Sequence, residues 1–287
     1  MKNILASIFT QENIFKSLFF LCAIISIVAV LTICLFLFSN AIPTLYKIGF
    51  KDFIFGEEWF PIDLELFGIF PMILGTFYVS AFALIISVPV GILTAVFLSA
   101  FCPHYFKKIL TFTVELLSAI PSVVYGFFGL VILVPFINEI FNCGGKSLLS
   151  AAIILSIMIL PTIILVSKSA LDAVPKSYVE AALALGVTAE RSIFFIKLKA
   201  AKSGILASVI LGLGRAIGEA MAVIMVAGNQ VQIPHSVLEG VRTLSTNIVL
   251  EMGYAQDLHR EALVANAAVL FVFILLINFS FKWINKK

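Results

Sequence analysis

Long apolar stretches with few or no charged residues are the feature that most constrains this chain. Six of them fall at roughly 17–39, 69–100, 109–138, 148–167, 204–228 and 262–281. Each can cross the hydrocarbon core of a bilayer as a helix, which takes about 20 residues. The runs are continuous rather than alternating, unlike the strands of a membrane barrel. The sequence therefore predicts an all-α integral membrane protein with six transmembrane helices.

The composition supports a membrane protein over a soluble one. Hydrophobic residues make up 61% of the 287 residues and charged residues 12%, against about 45–50% and about 25% in a soluble domain. There is too little polar sequence to cover a soluble core. The first run, from Ser17 to Ser39, is longer than the apolar segment of a cleaved signal peptide, which has about 7–15 residues. We expect it to be a retained span.

Lysine and arginine placement predicts the topology. With both termini in the cytoplasm, thirteen of these residues fall in inside segments and five in outside segments, while Arg215 lies within a span. This asymmetry follows the positive-inside rule. The predicted organisation is an N-terminal segment with the first span and an outside loop at 1–68, a five-helix core at 69–283, and a cytoplasmic tail at 284–287.

Motifs of soluble enzymes are missing from the sequence. It has no GxxxxGK[ST] phosphate loop, no HExxH and no GxSxG. The four cysteines form no CxxC motif, and the three histidines are scattered, so neither a metal site nor a disulfide is predicted. We expect no enzyme activity and no cofactor in this chain, and any ATPase that drives it must be another chain.

The longest predicted cytoplasmic loop, 172–201, has the pattern of two short helices around a turn. Pro175 suits a first helical turn, Gly186 a helix stop, and Thr188 the cap of a second helix. It could be an amphipathic connector on the membrane surface, or a docking element that another protein grips in a groove. A helix-turn-helix reader of nucleic acid is disfavoured, because the flanking spans hold the loop at the bilayer.

The fifth run contains two charges in the sequence LGLGRAIGEAMAV, residues 211–223. Arg215 lies roughly 16–20 Å from either end of a helix over 204–228, and burying such a charge costs at least about 2.5–3.5 kcal/mol. Glu219 follows four residues later and could pair with Arg215 across one turn. Two interpretations stay open, a buried ion pair that holds the helix in register or a lining of the translocation path.

Small residues recur along the same run and predict close helix packing. One row repeats every four residues and consists of Gly204, Ser208, Gly212, Ala216 and Ala220. A separate GxxxG pair is formed by Gly214 and Gly218. In the third run, Pro121 and Gly126 predict a kink, where Ser122 and Tyr125 could offer hydroxyl groups to a passing anion. Pro161 is expected to bend the fourth span.

The loop sequence resembles the EAA loop of ABC importer permeases, which reads EAA, three residues, Gly, and later I-x-L-P. The matching residues are Glu180, Ala181, Ala182, Gly186, Ile196 and Leu198, while Lys199 replaces the usual proline. Further segments at 68–92, 115–130, 158–175, 213–229 and 242–248 are similar to the PstC family of permeases from the bacterial phosphate importer. The resemblance implies a type I ABC importer permease fold with a short cytoplasmic coupling helix pair.

The resemblance also implies an assembly in the bacterial inner membrane. A PstA-like second permease subunit would share the lipid bilayer, a PstB-like ATPase dimer below would bind ATP and Mg, and a PstS-like protein outside would bind inorganic phosphate. Glu180, Ala181, Ala182 and Gly186 would form the coupling helix in an ATPase cleft, so Gly186→Asp or Glu180→Lys should uncouple ATP hydrolysis from uptake.

The fifth-span charges would then serve the phosphate path. A guanidinium offers a fork of donors to a phosphate oxyanion. Glu219 could orient it and accept the proton of hydrogen phosphate, which sulfate lacks. Another oxyanion, sulfate or molybdate, is the alternative substrate, and a secondary anion transporter is disfavoured because it would not need an EAA loop.

Overall fold

The computed structural model describes the backbone of residues 2–285 and the side chains of residues 15–280. Part of the predicted tail, residues 286 and 287, lies outside the described residues. The helices are α1 Lys2–Ile48, α2 Phe50–Phe55, α3 Phe70–Val96, α4 His104–Ala119, α5 Ser122–Phe128, α6 Val134–Phe141, α7 Leu148–Asp172, α8 Lys176–Ala184, α9 Ala189–Ser192, α10 Leu198–Ala200, α11 Lys202–Gly218, α12 Met221–Val226, α13 Leu244–Glu251 and α14 Asp257–Asn285.

Short irregular elements complete the fold. π-Helical turns lie at Phe97–Phe101, Gly129–Leu133 and Ile193–Lys197. Two strands, β1 Trp59–Phe60 and β2 Leu66–Phe67, form an antiparallel hairpin between α2 and α3. We call the end of the bundle that carries this hairpin the hairpin end, and the end that carries α8 and α9 the loop end.

Five segments of the described chain are long and apolar enough to cross a membrane. They are Phe15–Ile48, Phe70–Phe101, Ser122–Phe141, Leu148–Asp172 and Asp257–Ser280. They correspond to five of the six predicted spans, and the all-α membrane fold is confirmed. The remaining predicted span, 204–228, is divided between α11 and α12.

The third span differs from its prediction. A single kinked helix was expected over 109–138, but α4 ends at Ala119 and α5 begins at Ser122. The spanning segment therefore starts at Ser122, and α4 has no buried residue. Pro121 explains the interruption, because proline cannot donate a backbone hydrogen bond and disfavours helical backbone in the preceding residue. Helix α7, in contrast, continues through Pro161.

Helix α7 forms the centre of the bundle. Well over half of its most apolar 18-residue stretch is buried, and it packs against α3 and α11. A Cβ atom on Gly91 of α3 would lie 2.7 Å from Cγ2 of Ile163. Because apolar side chains gain little by leaving lipid for protein, such close approach supplies the packing energy between membrane helices.

Helix α1 is peripheral. Its most apolar stretch has no buried residue, and its contacts within the bundle are mainly to α14. At the hairpin end, Nζ of Lys47 donates to a carboxylate oxygen of Glu261 at 2.8 Å. Both side chains are substantially exposed, so this bridge contributes little stability, about 0–1 kcal/mol.

Helix α13 is an element that the sequence analysis did not predict. The Thr243 hydroxyl and the Thr246 side chain form a capping box at its start. The backbone N–H of Leu244 donates to Oγ1 of Thr76 on α3 at 2.9 Å. The threonine spacing is a recognisable cap signal, and the cap fixes the position of α13 against α3.

Candidate functional site

Two interrupted helices lie side by side in the bundle. The first interruption, at Ile120–Pro121, separates α4 from α5, and the second, at Glu219–Ala220, separates α11 from α12. Helices α5 and α12 pack together closely, since a Cβ on Gly126 would lie 2.8 Å from Cα of Ala222. Discontinuous helices are typical of substrate sites in transporters. At membrane depth, irregular backbone is tolerated only inside protein or along a water-filled cavity.

Arg215 lies in the last turn of α11, directly before the second interruption. Its side chain is half-buried, and Nη1 donates to Oγ1 of Thr162 on α7 at 3.3 Å. Among the described residues, the guanidinium has no carboxylate partner and no second hydrogen bond. A cation that is partly desolvated and so incompletely paired can accept an anionic ligand.

The expected Arg215–Glu219 pair across one helical turn is wrong. The helix ends at Gly218, and Glu219 has extended backbone, with φ −75° and ψ 122°. Its carboxylate instead accepts the backbone N–H of Ala222 at 3.2 Å, which caps α12. Its carbonyl oxygen accepts the Ser245 hydroxyl of α13 at 3.0 Å. The register-holding ion pair is therefore not a feature of this structure.

The small residues of the fifth run divide into two rows. The first packs against α7 as predicted: a Cβ on Gly204 would collide with Ala170, and Oγ of Ser208 lies 2.7 Å from Oγ of Ser167. The GxxxG pair differs, because a Cβ on Gly214 or Gly218 would meet nothing within 4 Å. That second row, next to Arg215, faces open space in the described chain.

Tyr125 and Ser122 lie at the first interruption. The Tyr125 hydroxyl donates to the carbonyl of Leu117 at 2.8 Å and so satisfies a carbonyl freed where α4 ends. The ring is buried, and it lies within electrostatic range of Arg215. The half-buried Ser122 hydroxyl has no hydrogen-bond partner among the described side chains. Of the two predicted hydroxyls, Ser122 is the one left free.

The predicted helix pair of the loop end is confirmed. Helix α8 ends in a Schellman motif, in which the N–H of Gly186 donates to Leu183 and that of Val187 donates to Ala182. Gly186 has φ +82°, and Thr188 caps α9. Only Ala182 among the EAA residues is buried, so Glu180 and Ala181 are exposed.

The exposed side of this helix pair is partly apolar. Leu185 is 85% exposed and Tyr178 is 52% exposed. Exposed apolar side chains of this kind suit a docking element that another protein covers, and equally a connector whose apolar face lies on the membrane surface. Both interpretations of the loop stay open on the geometry alone.

A polar network joins the base of this loop to three other elements. Oδ1 of Asp172 accepts the Ser99 hydroxyl at 2.6 Å, and Nζ of Lys197 donates to the same hydroxyl at 2.9 Å. Lys168 and Lys107 lie 3.2 and 3.7 Å from Oδ2 of Asp172. Burial lowers the pKa of Lys197 and the nearby Lys107 charge adds to this, while Asp172 opposes both. No sequence pattern predicts this network, since most of its members are far apart in the chain.

A second polar cluster lies at the hairpin end and centres on the buried carboxylate of Glu251. Oε1 accepts from Nη1 of Arg242 at 2.6 Å, Oε2 accepts from Nε1 of Trp59 at 2.8 Å, and Oε2 lies 2.9 Å from Nε2 of His259. This cluster joins the hairpin to α13 and α14. It was also missed, although Arg242 stood in one of the segments that carried the resemblance.

Together, the helical bundle, the paired interruptions and the capped loop define a membrane permease. The chain belongs to the family described as the binding-protein-dependent transport system inner membrane component, which matches residues 87–287. It is thus a multi-pass inner membrane permease subunit of an ABC transporter, and the expected non-enzymatic class agrees with this family.

Sequence comparison finds similar proteins along most of the chain. The probable ABC transporter permease protein YqgH of Bacillus subtilis is 40% identical over 268 residues, covering 90% of this chain and 87% of the relative. The phosphate transport system permease protein PstC of Mesorhizobium japonicum is 36% identical over 276 residues, covering 89% of this chain and 84% of the relative. The resemblance to PstC permeases is confirmed.

Solved structures with the same fold are ABC importers. The MetNI methionine ABC transporter in inward-facing conformations matches with a TM-score of 0.56 and 22% identity, covering 79% of this chain and 96% of that one. A bacterial ABC transporter that imports alginate matches with a TM-score of 0.58 and 19% identity, covering 84% and 89%. At these identities the likeness shows the fold.

Proposed function

We propose that this chain is the PstC-like permease subunit of an ATP-driven importer of inorganic phosphate, and that Arg215 binds the anion on its way through the membrane. The observation that carries the proposal is the half-buried Arg215 guanidinium at a helix interruption, with Thr162 as its single partner in the described chain. The similarity to PstC of Mesorhizobium japonicum supports phosphate over other oxyanions.

The proposed partner proteins are assigned to three surfaces of the chain, which are α8, the open row of α11 and the hairpin end. A PstB-like ATPase dimer, which binds ATP and Mg, receives α8 and the exposed Glu180, Ala181 and Leu185. A PstA-like subunit covers the open row at Gly214 and Gly218 and completes the path. A PstS-like phosphate-binding protein docks at the hairpin end, which faces outward while the loop end and both termini face the cytoplasm.

The central experiment is uptake of labelled phosphate by cells that carry Arg215→Ala, with expression checked in membranes. We expect the initial rate to fall about tenfold or more, since a hydrogen bond to a charged group contributes about 1.5–3 kcal/mol. Arg215→Lys keeps the charge but loses the planar fork, so we expect it to restore only part of the rate. Lys108→Ala, at an exposed lysine of α4, is the control for loss of a positive charge. Normal uptake by Arg215→Ala would refute the role of Arg215.

Glu219 has a revised role in the proposal. Its carboxylate caps α12 through one oxygen and has a second oxygen for the proton of hydrogen phosphate. A site that hydrogen-bonds a substrate proton rejects analogues without that proton. In Glu219→Gln the amide oxygen still caps Ala222, but an NH₂ group replaces the free acceptor. We expect slower phosphate uptake and weaker exclusion of sulfate, and unchanged values of both would reject this role.

A further inference from the structure

We propose that a pocket beside the hairpin receives a lysine or arginine side chain of the soluble protein that delivers the substrate. This inference rests on the proposed function, which places the hairpin end outside the membrane. The pocket has a volume of about 440 Å³ and lies between the hairpin and the segments around Asn229 and Glu251.

The walls of this pocket suit a cationic side chain. Three aromatic residues, Trp59, Phe60 and Tyr254, line it. An ammonium or guanidinium group is attracted to the faces of such rings. Trp59 is held in place by its bond to Glu251, whereas the Phe60 and Tyr254 rings are more than half exposed, so a side chain from outside can reach them.

The charges of the lining are net negative. Arg242 is the single cation of the lining, and its guanidinium is taken up by Glu251 and by Oδ1 of Asn247 at 3.0 Å. Asp63 is exposed and has no basic partner among the described residues. Partial loss of hydration at the hydroxyl raises the pKa of Tyr254, and the Glu251 charge raises it further, while the Arg242 charge opposes both.

The surroundings favour a basic protein surface over a free anion. Segments 40–68, 139–147 and 229–261 contain ten carboxylates against five lysine and arginine residues. A second cleft beside the hairpin, about 490 Å³ in volume, is lined by Asp52, Glu57, Glu58 and Glu65 with Lys51 as its one basic residue. Such a field repels free phosphate and steers a positively charged partner.

The experiment measures docking of the same organism's phosphate-binding protein to the assembled transporter in lipid nanodiscs, at low and high salt. We expect Asp63→Asn to raise Kd about threefold to fivefold at low salt, the range of a partly exposed ion pair, and Asp63→Lys to raise it further. The difference from wild type should shrink at high salt. Glu139→Gln removes one charge of the same field outside both clefts, and it should raise Kd less than Asp63→Asn does.

Carbodiimide crosslinking gives an independent readout, because it joins a carboxylate to a lysine amine in contact with it. If the partner residue is a lysine, mass spectrometry should find Asp63 linked to it. If the partner residue is an arginine, no crosslink forms and the Kd values of the Asp63 variants decide. An unchanged Kd in both Asp63 variants would overturn the inference. A second result would also overturn it. In that result, labelled phosphate binds the transporter without the binding protein, and Asp63→Asn strengthens phosphate binding but leaves the Kd for the binding protein unchanged.

These outcomes are distinguishable from failure of the proposed function. If the wild-type transporter takes up phosphate only when the binding protein is present, the proposed function holds whatever Asp63 does. If the binding protein neither docks to the wild-type transporter nor stimulates its uptake, the proposed function fails and the inference fails with it.

Discussion

At the scale of single residues, a helix interruption gives Glu219 a different role from the one that its spacing suggests. Four residues normally bring two helical side chains together, but the backbone of Glu219 is extended and its carboxylate turns forward to Ala222. Arg215 turns towards Thr162 on another helix. Arg215 thus contacts a neighbouring helix while Glu219 caps the next one, and each residue can be tested on its own.

Glu219→Ala tests the cap. Removing the acceptor leaves the Ala222 N–H unpaired at the start of α12, and loss of a helix cap costs about 0.5–2 kcal/mol. We expect a lower thermal midpoint for Glu219→Ala than for Glu219→Gln, which retains an acceptor, in detergent-purified protein. Equal midpoints for the two variants would show that the capping bond does not stabilise the fold.

Gly186 is a residue whose requirement is conformational. Its φ of +82° lies in the left-handed region, and a Cβ atom added to Gly186 would have no atom of the chain within 4 Å. We expect Gly186→Val to lower the coupling of ATP hydrolysis to uptake severalfold, because β-branched residues avoid this conformation. Gly186→Asn is the matched control, since asparagine tolerates it. The readout is the ratio of phosphate transported to ATP hydrolysed, and a normal ratio in Gly186→Val would contradict the expectation.

At the scale of elements, the loop end is tied to the bundle by the network around Asp172. Ser99 follows α3, Lys107 lies on α4, and Lys197 follows α9. We therefore expect a tilt of α8 and α9 to be transmitted to α3, α4 and α7 through a few polar contacts as well as through apolar packing. Chains of packed side chains and polar contacts can carry coupling between distant sites.

Asp172→Asn should loosen this connection. The amide retains an acceptor for Ser99 but loses the charge that holds Lys168 and Lys107. We expect membrane insertion to persist and phosphate uptake per ATP hydrolysed to fall about twofold to fivefold, in line with an interaction of up to about 1 kcal/mol. Glu190→Gln, at an exposed acid of α9, is the control. If both variants transport equally well, the network does not transmit the motion.

The sequence predicted the elements better than the contacts between them. The apolar runs, the glycine stop at Gly186 and the Thr188 cap are local signals. The structure agrees with the stop, the cap and four of the six runs, while the third and fifth runs are interrupted. The break after Gly218 was missed, because neither Gly218 nor Glu219 forbids a helix and the surrounding residues are apolar. The Thr162, Ser99 and Trp59 contacts join residues far apart in the chain, where no spacing rule applies.

At the scale of the whole molecule, the two rows of small residues assign two neighbours to α11. Gly204 and Ser208 face α7 within the chain, whereas Gly214 and Gly218 face open space. In the proposed assembly the second permease subunit lies on that open row. In that assembly, the monomer contributes a packed bundle and one side of the path.

Gly218→Leu and Gly126→Leu distinguish assembly with the second subunit from packing within the chain. We expect Gly218→Leu to accumulate normally in membranes but to lose co-purification of the second permease subunit, because the new side chain fits its own chain and obstructs the partner. Gly126→Leu should instead reduce accumulation, since its Cβ would lie 2.8 Å from Cα of Ala222 and overpacking costs about 1–3 kcal/mol. Normal co-purification with Gly218→Leu would place the partner elsewhere.

The interruption at Glu219 has a consequence for the energy of ion transfer. Where a helix stops inside a bilayer, water must reach the exposed amides and carbonyls that no protein group satisfies. Arg215 and Glu219 are both only half-buried, so we expect the path between the two subunits of the proposed assembly to be hydrated at the level of Arg215. If the proposed function holds, an anion that arrives there exchanges a few of its water molecules for the guanidinium and keeps the rest of its hydration shell. We then expect the barrier to crossing to be set by partial dehydration, far below the cost of moving a bare ion into hydrocarbon.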